Sequence, residues 1–310
     1  MVMRITLSES GIPVRKISIL WLCRNNQEFL PHLFDTLIRL EKTYDCDFEY
    51  FIAENGSSDD TRTLLTDFLH GRVGKIITPE DTSFLDQQPR TERLARIRNT
   101  LLDNIRPLQS DWAVLLDTDI YFTEEILADM FALSPSQKGI GMLCAFGMEG
   151  LPERKGTGGI TRLGMFFANG MKGFPKSTGG GWITQSHYYD TWAFLDEDNR
   201  FYWPHCIFSG CGKCSAKNAK DKLNAAGVVN VNSAFGGFAI VKSQLLNHPD
   251  LRWKAVPSED SDIRGSAASE RKMMLCEHIH FCKMLRKVSS LSVAIACDIP
   301  VYWDLRSYRS

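Results

Sequence analysis

Two aspartates, Asp117 and Asp119, stand one residue apart directly after an apolar run, and this spacing carries the clearest chemistry in the chain. Residues 113–116 are four consecutive apolar residues, which is typical of a strand buried on both faces. Open α/β sheets bind ligands beyond the carboxyl ends of such strands. Because two neighbouring carboxylates repel each other unless a cation or a shared proton compensates, the pair predicts a site for a hard divalent metal. The plainer alternative is two exposed aspartates in a turn.

The elements that would position this pair alternate between strand and helix. Apolar runs predict strands at 16–23, 48–53, 75–78 and 139–146 besides the strand before Asp117, and residues of helical spacing separate them. Thr123 is expected to cap the helix that follows Asp119. This alternation is typical of a doubly wound, mainly parallel α/β sheet.

Polar residues follow the first, second and fourth of these strands. They are Arg24 and Asn25 after the first strand, Glu54 after the second, and Asp117, Thr118 and Asp119 after the fourth. Because the ends of parallel strands share one edge of the sheet, we expect these side chains to converge. A glutamate in this place suits hydrogen bonds to a ribose or to the edge of a base.

Arg93 and Arg96 fall to one side of the apolar stripe of the helix before Asp111, where they would neutralise a diphosphate or simply face solvent. No G-x-G-x-x-G follows the first strand and no G-x-x-x-x-G-K-[ST] is present, which excludes the usual dinucleotide and P-loop cradles. The residues therefore predict a nucleotide diphosphate site that relies on a metal and on arginines.

The second half of the chain has a different character. Residues 147–230 are rich in glycine and aromatic residues without clean periodicity, and so long an irregular insertion is usually functional. Its aromatic side chains suit stacking against sugars or a small satellite core; they are Trp182, Tyr188, Tyr189, Trp192 and Trp203. In the next predicted strand, 233–241, Gly236 and Gly237 imply close approach of backbone or ligand.

Composition narrows the function classes. A net charge of −1 over 310 residues argues against a nucleic-acid binder that works through bulk positive charge. The longest apolar runs are far shorter than the roughly 20 residues of a membrane span, so no transmembrane segment is expected. Most of the nine cysteines lie in apolar segments, which predicts a reducing compartment. The expected location is the cytoplasm, and a trimmed luminal domain is the alternative. Cys206, Cys211 and Cys214 leave zinc, a disulfide and part of an iron–sulfur pattern open.

Five motifs in order resemble the landmarks of nucleotide-sugar glycosyltransferases of the GT-A fold. They are residues 54–61, Arg93-x-x-Arg96-x-Arg98-Asn99, residues 112–122 with their D-x-D, Phe235-Gly-Gly237, and Cys276-Glu-His278. The most similar group is that of the fungal capsule-associated α-mannosyltransferases and their relatives in bacteria and large viruses. The resemblance implies one GT-A-like domain over residues 1–310, with a nucleotide-sugar half at 14–146 and an acceptor half at 147–310.

The resemblance also implies roles for individual residues. Asp119, with Asp117, would hold Mn²⁺ or Mg²⁺ on the donor diphosphate. Glu54 would contact the nucleoside, and Gly236 and Gly237 would lie near donor and acceptor. Glu277 takes the place of the acid of the family's x-E-D motif, but His278 replaces the following Asp. No histidine follows His280, so the C-terminal histidine ligand of many members is missing or is supplied by His278 or His280.

The expected activity is transfer of a sugar from a UDP- or GDP-sugar to a hydroxyl of a glycan, in polysaccharide or glycoprotein glycan synthesis. Glu277 would be the base in an inverting reaction, and Trp182 and Trp192 would lie on the acceptor side. Two alternatives remain open. One is a phosphohydrolase that uses Asp117 and Asp119 as nucleophile and acid, and the other is a non-catalytic nucleotide- or glycan-binding relative.

Overall fold

The computed structural model describes residues 4–79, 88–133, 135, 138–152, 182–201, 222–223, 227–260, 263 and 274–303, without the side chains of 149–152 and 182–187. Its strands are β1 (Ser8–Glu9), β2 (Ile12–Pro13), β3 (Lys16–Cys23), β4 (Asp47–Glu54), β5 (Gly74–Ile77), β6 (Trp112–Leu116), β7 (Ile120–Tyr121), β8 (Ile140–Pro152), β9 (Trp182–Tyr188), β10 (Val228–Val231), β11 (Phe238–Lys242) and β12 (Ser292–Trp303). Its α-helices are α1 (Leu30–Thr43), α2 (Thr61–Leu69), α3 (Arg90–Ile105), α4 (Ile126–Ala132), α5 (Ser243–Leu246) and α6 (Glu277–Ser289).

One twisted sheet runs through the described residues in the order β10-β12-β8-β11-β6-β3-β4-β5, with β7 beside β12 and β9 beside β8. The strands β3, β4, β5 and β6 are mutually parallel, and β12 is parallel to β8. The predicted α/β class with a mainly parallel sheet is confirmed. Strand β11 differs, because it lies antiparallel between β6 and β8.

Helices cover both faces of the sheet. The apolar stripes of α1, α2 and α4 pack on one face, with Leu33, Leu65 and Leu127 fully buried. The stripes of α3 and α6 pack on the other face, with Leu101 and Leu285 buried. All five residues of β6 are buried, as expected for a strand covered on both faces. The strand that delivers Asp117 is therefore held rigidly in the centre of the sheet.

Several boundaries differ from those expected from the sequence. The helix after Asp119 begins at Ile126, and the backbone carbonyl of Thr123 accepts the N–H of Ile126, so the expected Thr123 side-chain cap is wrong. The strand expected at 233–241 begins only at Phe238, because Gly236 and Gly237 have positive φ angles of 71° and 81°. The last helix, which the sequence pattern predicts over about 267–287, begins at Glu277 and so places that residue in its first turn.

Among the residues that the structure describes, no helix combines the length and the apolar character needed to cross a lipid bilayer.

Candidate active site

The ends of β3, β4 and β6 meet at one edge of the sheet. Cys23 pairs with Glu54 and Trp21 with Leu116, so the residues that follow these strands emerge side by side. They line a cavity of about 800 Å³, which we call the strand-end cavity. Its lining from these strand ends is Arg24, Asn26, Asn55, Asp117, Thr118 and Asp119.

Asp117 is held by the backbone and by one arginine. Its N–H donates to the carbonyl of Gly237 at 2.9 Å, and its Oδ1 lies 3.6 Å from Nη2 of Arg98. Burial raises the pKa of the Asp117 carboxyl, the Arg98 cation lowers it, and the neighbouring Asp119 raises it further. The hydroxyl of Thr118 donates to the carbonyl of Leu22, which ties the D-x-D turn to β3. A cation bound here would therefore favour the ionised forms of the two aspartates.

Helix α3 presents one face to the strand-end cavity. Arg90, Leu94 and Arg98 recur every four residues and all line it. Arg98 is buried and reaches two carboxylates, because its Nε lies 3.3 Å from Oε1 of Glu277 while its Nη2 faces Asp117. Arg98 also lies over the rings of Phe235 and Trp253, at 5.4 and 5.9 Å. This one guanidinium joins the strand end to the start of α6.

Arg93 and Arg96, the arginines singled out in the sequence, are on other faces of α3. Arg93 is partly buried and Arg96 is exposed, and neither is among the residues that line the strand-end cavity. Their assignment to the diphosphate stays a prediction. Arg90 and Arg98, rather than Arg93 and Arg96, are the arginines of α3 that line the strand-end cavity. The sequence spacing could have indicated the inward position of Arg98, because it lies four residues after Leu94 and three residues before Leu101 on the apolar stripe of α3.

Glu277 and His278 begin α6 and both line the strand-end cavity, where Glu277 is 1% and His278 2% exposed. The ring of His278 stacks on Phe235 with centroids 4.1 Å apart. Burial lowers the pKa of His278 well below its usual range, and the Arg98 and Arg90 cations lower it further. These effects favour the neutral imidazole of His278. His280 is not in the cavity lining, because residues two apart on a helix point about 200° apart.

The loop after β4 uses its residues differently from the expectation. Glu54 is buried and its Oε1 accepts the N–H of Ser57 at 2.6 Å, and it is not in the cavity lining. Asn25 accepts the N–H of Ser58 through its side chain and likewise shapes the loop. The neighbouring Asn55 does line the cavity, and its buried Oδ1 has no hydrogen-bond partner within the described ranges. Asn55 is thus better placed for a ligand than Glu54.

The insertion contributes an unexpected carboxylate. Asp190 lines the strand-end cavity, and its Oδ2 accepts the N–H of Gly236 at 2.9 Å. Burial raises the pKa of Asp190, and the backbone hydrogen bonds from Gly236 and Ala193 lower it. A Cβ on Gly236 would lie 2.3 Å from the carbonyl of Ala145, so the glycine is required by close backbone packing. Neither Gly236 nor Gly237 is in the cavity lining, whereas the adjacent Phe235 is.

The aromatic residues of the insertion divide between the cavity and the core. Tyr189 and Trp192 line the strand-end cavity, and Trp192 is 42% exposed. Tyr188 is buried against Phe146 and Phe194, which is the satellite-core alternative. Several of the predicted residues lie outside the part of the chain that the structure describes. They are the side chain of Trp182, the whole of Trp203, and Cys206, Cys211 and Cys214.

The carboxylates suit a divalent metal only in part. No group of three or more His, Cys, Asp or Glu residues that could hold a metal is present within the described ranges. Asp117 and Asp119 nevertheless offer hard oxygen ligands, and Mg²⁺ typically binds one or two carboxylates together with substrate phosphates and water. The residues therefore fit a metal whose ligand shell is completed by a diphosphate. His280 lies outside this cluster.

The chain belongs to the family described as cryptococcal mannosyltransferase 1, whose model matches residues 16–276. This membership confirms the resemblance carried by the five motifs, which is to nucleotide-sugar glycosyltransferases of the GT-A type. No curated protein matches the chain.

Solved structures of low sequence identity are also similar. Residues 1–349 of TarS from S. aureus are 13% identical with a TM-score of 0.45, covering 93% of this chain and 60% of that one. The same fragment in complex with UDP-GlcNAc is 14% identical with a TM-score of 0.45, covering 93% of this chain and 58% of that one. Glucosyl-3-phosphoglycerate synthase from Mycobacterium tuberculosis, in complex with Mn²⁺ and UDP-glucose, is 19% identical with a TM-score of 0.31. The match covers 50% of this chain and 49% of that one. The chain spans at most about 60% of these structures.

Proposed function

We propose that this protein transfers a sugar from a UDP- or GDP-sugar to a hydroxyl of a glycan acceptor in a metal-dependent reaction, in polysaccharide or glycoprotein glycan synthesis. The observation that carries the proposal is the meeting of the D-x-D carboxylates with Glu277 in one cavity, through the shared cation of Arg98. Residues 14–146 would bind the donor, and residues 147–310 would form the acceptor side.

The donor side is built around the diphosphate. Mn²⁺ or Mg²⁺ held by Asp119, with Asp117, would neutralise charge that develops on the leaving diphosphate. Arg90 and Arg98 add fixed positive charge to the same cavity, which favours the same charge development. Arg24 and Asn55 line the part of the cavity contributed by β3 and β4, where the nucleoside would bind.

The acceptor side contains the candidate base. Glu277 lines the cavity and is held by Arg98, so its carboxylate is fixed in place by an ion pair. In an inverting reaction this carboxylate would take the proton of the acceptor hydroxyl as the new glycosidic bond forms. Tyr189 and Trp192 provide flat faces beside it on which an acceptor sugar would stack.

The cysteines bear on the compartment in which this reaction would occur. The described cysteines are free thiols; they are Cys23, Cys46, Cys144, Cys276, Cys282 and Cys297. Free thiols suit a reducing compartment such as the cytoplasm.

The first test is a thermal-stability screen of the full chain with GDP-mannose, UDP-glucose and UDP-GlcNAc, each with and without Mn²⁺. A ligand that binds only the folded state raises Tm, so one nucleotide sugar should do so and Mn²⁺ should enlarge the shift. Release of the nucleoside diphosphate from that donor then measures turnover. Asp119→Ala should lower this turnover at least about a hundredfold, the size typical for loss of an electrostatic stabiliser.

The matched control is Asp67→Ala, which removes an exposed carboxylate of α2 far from the strand-end cavity and should leave turnover unchanged. Unchanged turnover in Asp119→Ala would overturn the metal assignment. Release of phosphate from simple phosphoesters would instead support the phosphohydrolase. Tight nucleotide binding with neither transfer nor donor hydrolysis would identify a non-catalytic relative.

A further inference from the structure

The imidazole of His278 is fixed by two aromatic neighbours. Its ring lies flat on Phe235, at an interplanar angle of 10°, and edge-on to Trp253, at 87°. Nε1 of Trp253 lies 3.4 Å from Nδ1 of His278 and points its hydrogen at it. Because an indole N–H can only donate, Nδ1 of His278 must be the acceptor.

This contact determines the tautomer. A neutral imidazole has one N–H and one acceptor nitrogen, and Nδ1 already uses its lone pair on Trp253. Nε2 of His278 therefore carries the hydrogen. A protonated imidazolium would place a hydrogen on Nδ1 against the indole N–H, so the contact excludes that form as well.

The Nε2–H group has no hydrogen-bond partner among the described residues, although it is buried. Leaving a buried donor unpaired is unfavourable, so such a group at a cavity wall indicates a ligand atom that completes it. The adjacent carboxylate oxygen Oε1 of Glu277 lies 3.9 Å from Nε2, which is too far for a hydrogen bond.

The separation of the two groups suits a bridging atom. An oxygen at about 2.8 Å from both Nε2 and Oε1 satisfies each, since the two atoms are 3.9 Å apart. That oxygen must accept from the N–H and donate to the carboxylate, and a hydroxyl does both. A metal ion does not suit the place, because it requires the lone pair of Nε2.

We propose that His278 Nε2–H and Glu277 Oε1 together bind one sugar hydroxyl of a substrate, and that His278 does not ligate the metal. The proposal rests on the proposed function, since it names the contact that the same cavity makes with sugar. The hydroxyl belongs either to the donor sugar or to the acceptor, and the two sources share this chemistry.

The tautomer can be tested without any substrate. ¹⁵N NMR of the full chain should show His278 as the neutral imidazole with hydrogen on Nε2, and His278→Gln identifies the signal by its loss. A hydrogen on Nδ1 would overturn the inference whatever the activity of the enzyme. If the wild-type protein binds no nucleotide sugar, the proposed function is refuted, and this measurement still tests separately whether Nε2 carries the hydrogen and so cannot ligate a metal.

Two variants test the hydroxyl contact. A glutamine amide reaches the position of Nε2 and keeps a donor there, whereas an asparagine amide reaches only the position of Nδ1. Using the nucleotide sugar that stabilises the wild type, His278→Asn should lower kcat/KM for transfer about five- to tenfold, and His278→Gln should restore most of it. Unfolding midpoints establish that both variants fold.

Calorimetry separates the two sources. If the hydroxyl belongs to the donor sugar, His278→Asn weakens binding of the nucleotide sugar and leaves binding of the nucleoside diphosphate alone unchanged. If it belongs to the acceptor, both affinities stay unchanged and only transfer to the acceptor falls. Wild-type behaviour of His278→Asn in every assay, equal losses in the two variants, or a loss of Mn²⁺ affinity in His278→Asn would each overturn the proposal.

Discussion

Carboxylates lie at both ends of the parallel strands, and the two ends differ in how the protein pairs them. At the amino ends of β3 and β4, Glu49 accepts the hydroxyl of Ser18 and pairs with Nζ of Lys16 at 2.6 Å. The hydroxyls of Ser18, Ser110 and Ser243 continue this hydrogen-bonded chain, at 2.6 and 2.7 Å. The protein itself therefore supplies the partners of the Glu49 carboxylate.

At the carboxyl ends the groups are left incomplete. Asp117 and Glu277 share Arg98 at 3.6 and 3.3 Å, and Oδ1 of Asn55 and Nε2 of His278 have no hydrogen-bond partner among the described residues. Buried polar groups are normally satisfied, so Oδ1 of Asn55 and Nε2 of His278, on two residues that line the strand-end cavity, fit a ligand bound there. A buried carboxylate alone therefore does not identify a site; unsatisfied polar atoms on residues that line a cavity are a further indication.

The largest effect is expected from Arg98→Met, which leaves the buried carboxylate of Glu277 and the partly buried carboxylate of Asp117 without their cation. Removing one partner of a buried ion pair costs about 3–5 kcal/mol, because the remaining charge is uncompensated. Urea unfolding measures the loss. Arg62→Met, at an exposed position of α2, is the control and should change stability by less than about 0.5 kcal/mol. Equal effects of the two variants would remove Arg98 from the centre of the site.

Glu49→Gln should destabilise the satisfied end by about 1.5–3 kcal/mol, the contribution of hydrogen bonds to a charged group. Nucleotide-sugar binding should stay as in the wild type, because this cluster is at the opposite end of the strands. Urea unfolding and calorimetry on the same preparation check both expectations. Lost binding with unchanged stability would show that the contrast between the two ends is wrong.

Asp117→Asn should change the pH dependence of stability in metal-free buffer. Burial raises the pKa of Asp117 to about 8, so between about pH 4 and 8 the folded state binds more protons than the unfolded state. Stability therefore falls as pH rises through this window. The variant should lack at least about 1 kcal/mol of that fall, while Asp190, whose pKa is also raised, keeps part of the slope.

The measurement is urea unfolding at several pH values with a chelator present. Asp67→Asn, an exposed residue of α2, is the control and should reproduce the wild-type slope. A slope in Asp117→Asn as steep as that of the wild type would contradict the burial of this carboxyl.

The smallest effect is expected from Asn55→Ala, which removes an unpaired buried acceptor at the cavity wall. Folding stability should change by less than about 1 kcal/mol, because no hydrogen bond of the described protein is lost. Nucleoside diphosphate binding should weaken about five- to tenfold in calorimetry. Asn104→Ala, at the exposed end of α3, is the control. An unchanged affinity for the nucleoside diphosphate would show that the nucleoside does not bind at the loop after β4.

Much of the fold could be predicted because apolar patterning is a local property. The runs 16–23 and 113–116 identified β3 and β6, and the alternation with helices identified the parallel sheet. The antiparallel insertion of β11 could not be predicted, since a strand's pattern does not encode its neighbours. The capping expectation at Thr123 failed because a backbone carbonyl took the place of the side chain.

The candidate site divides in the same way. Asp117, Asp119, Glu277 and His278 were recognisable as residue types at particular spacings, and all line one cavity. The arginines that line the cavity could not be recognised from the sequence, because α3 contains several arginines. Only the packing of α3 against the sheet turns Arg90 and Arg98 toward the cavity. Asp190 and Asn55 gave no distinctive signal, since loop polar residues are common and only burial distinguishes them.

The sequence by itself thus determined the family, the strand that carries Asp117 and Asp119, and the edge of the sheet where ligands would bind, because each depends on a short stretch of chain. The tertiary structure alone decided that Arg98 joins Asp117 to Glu277, 160 residues further along the chain, and that Trp253 sets the tautomer of His278. Those contacts depend on how helices seat on the sheet, and no local pattern specifies that packing.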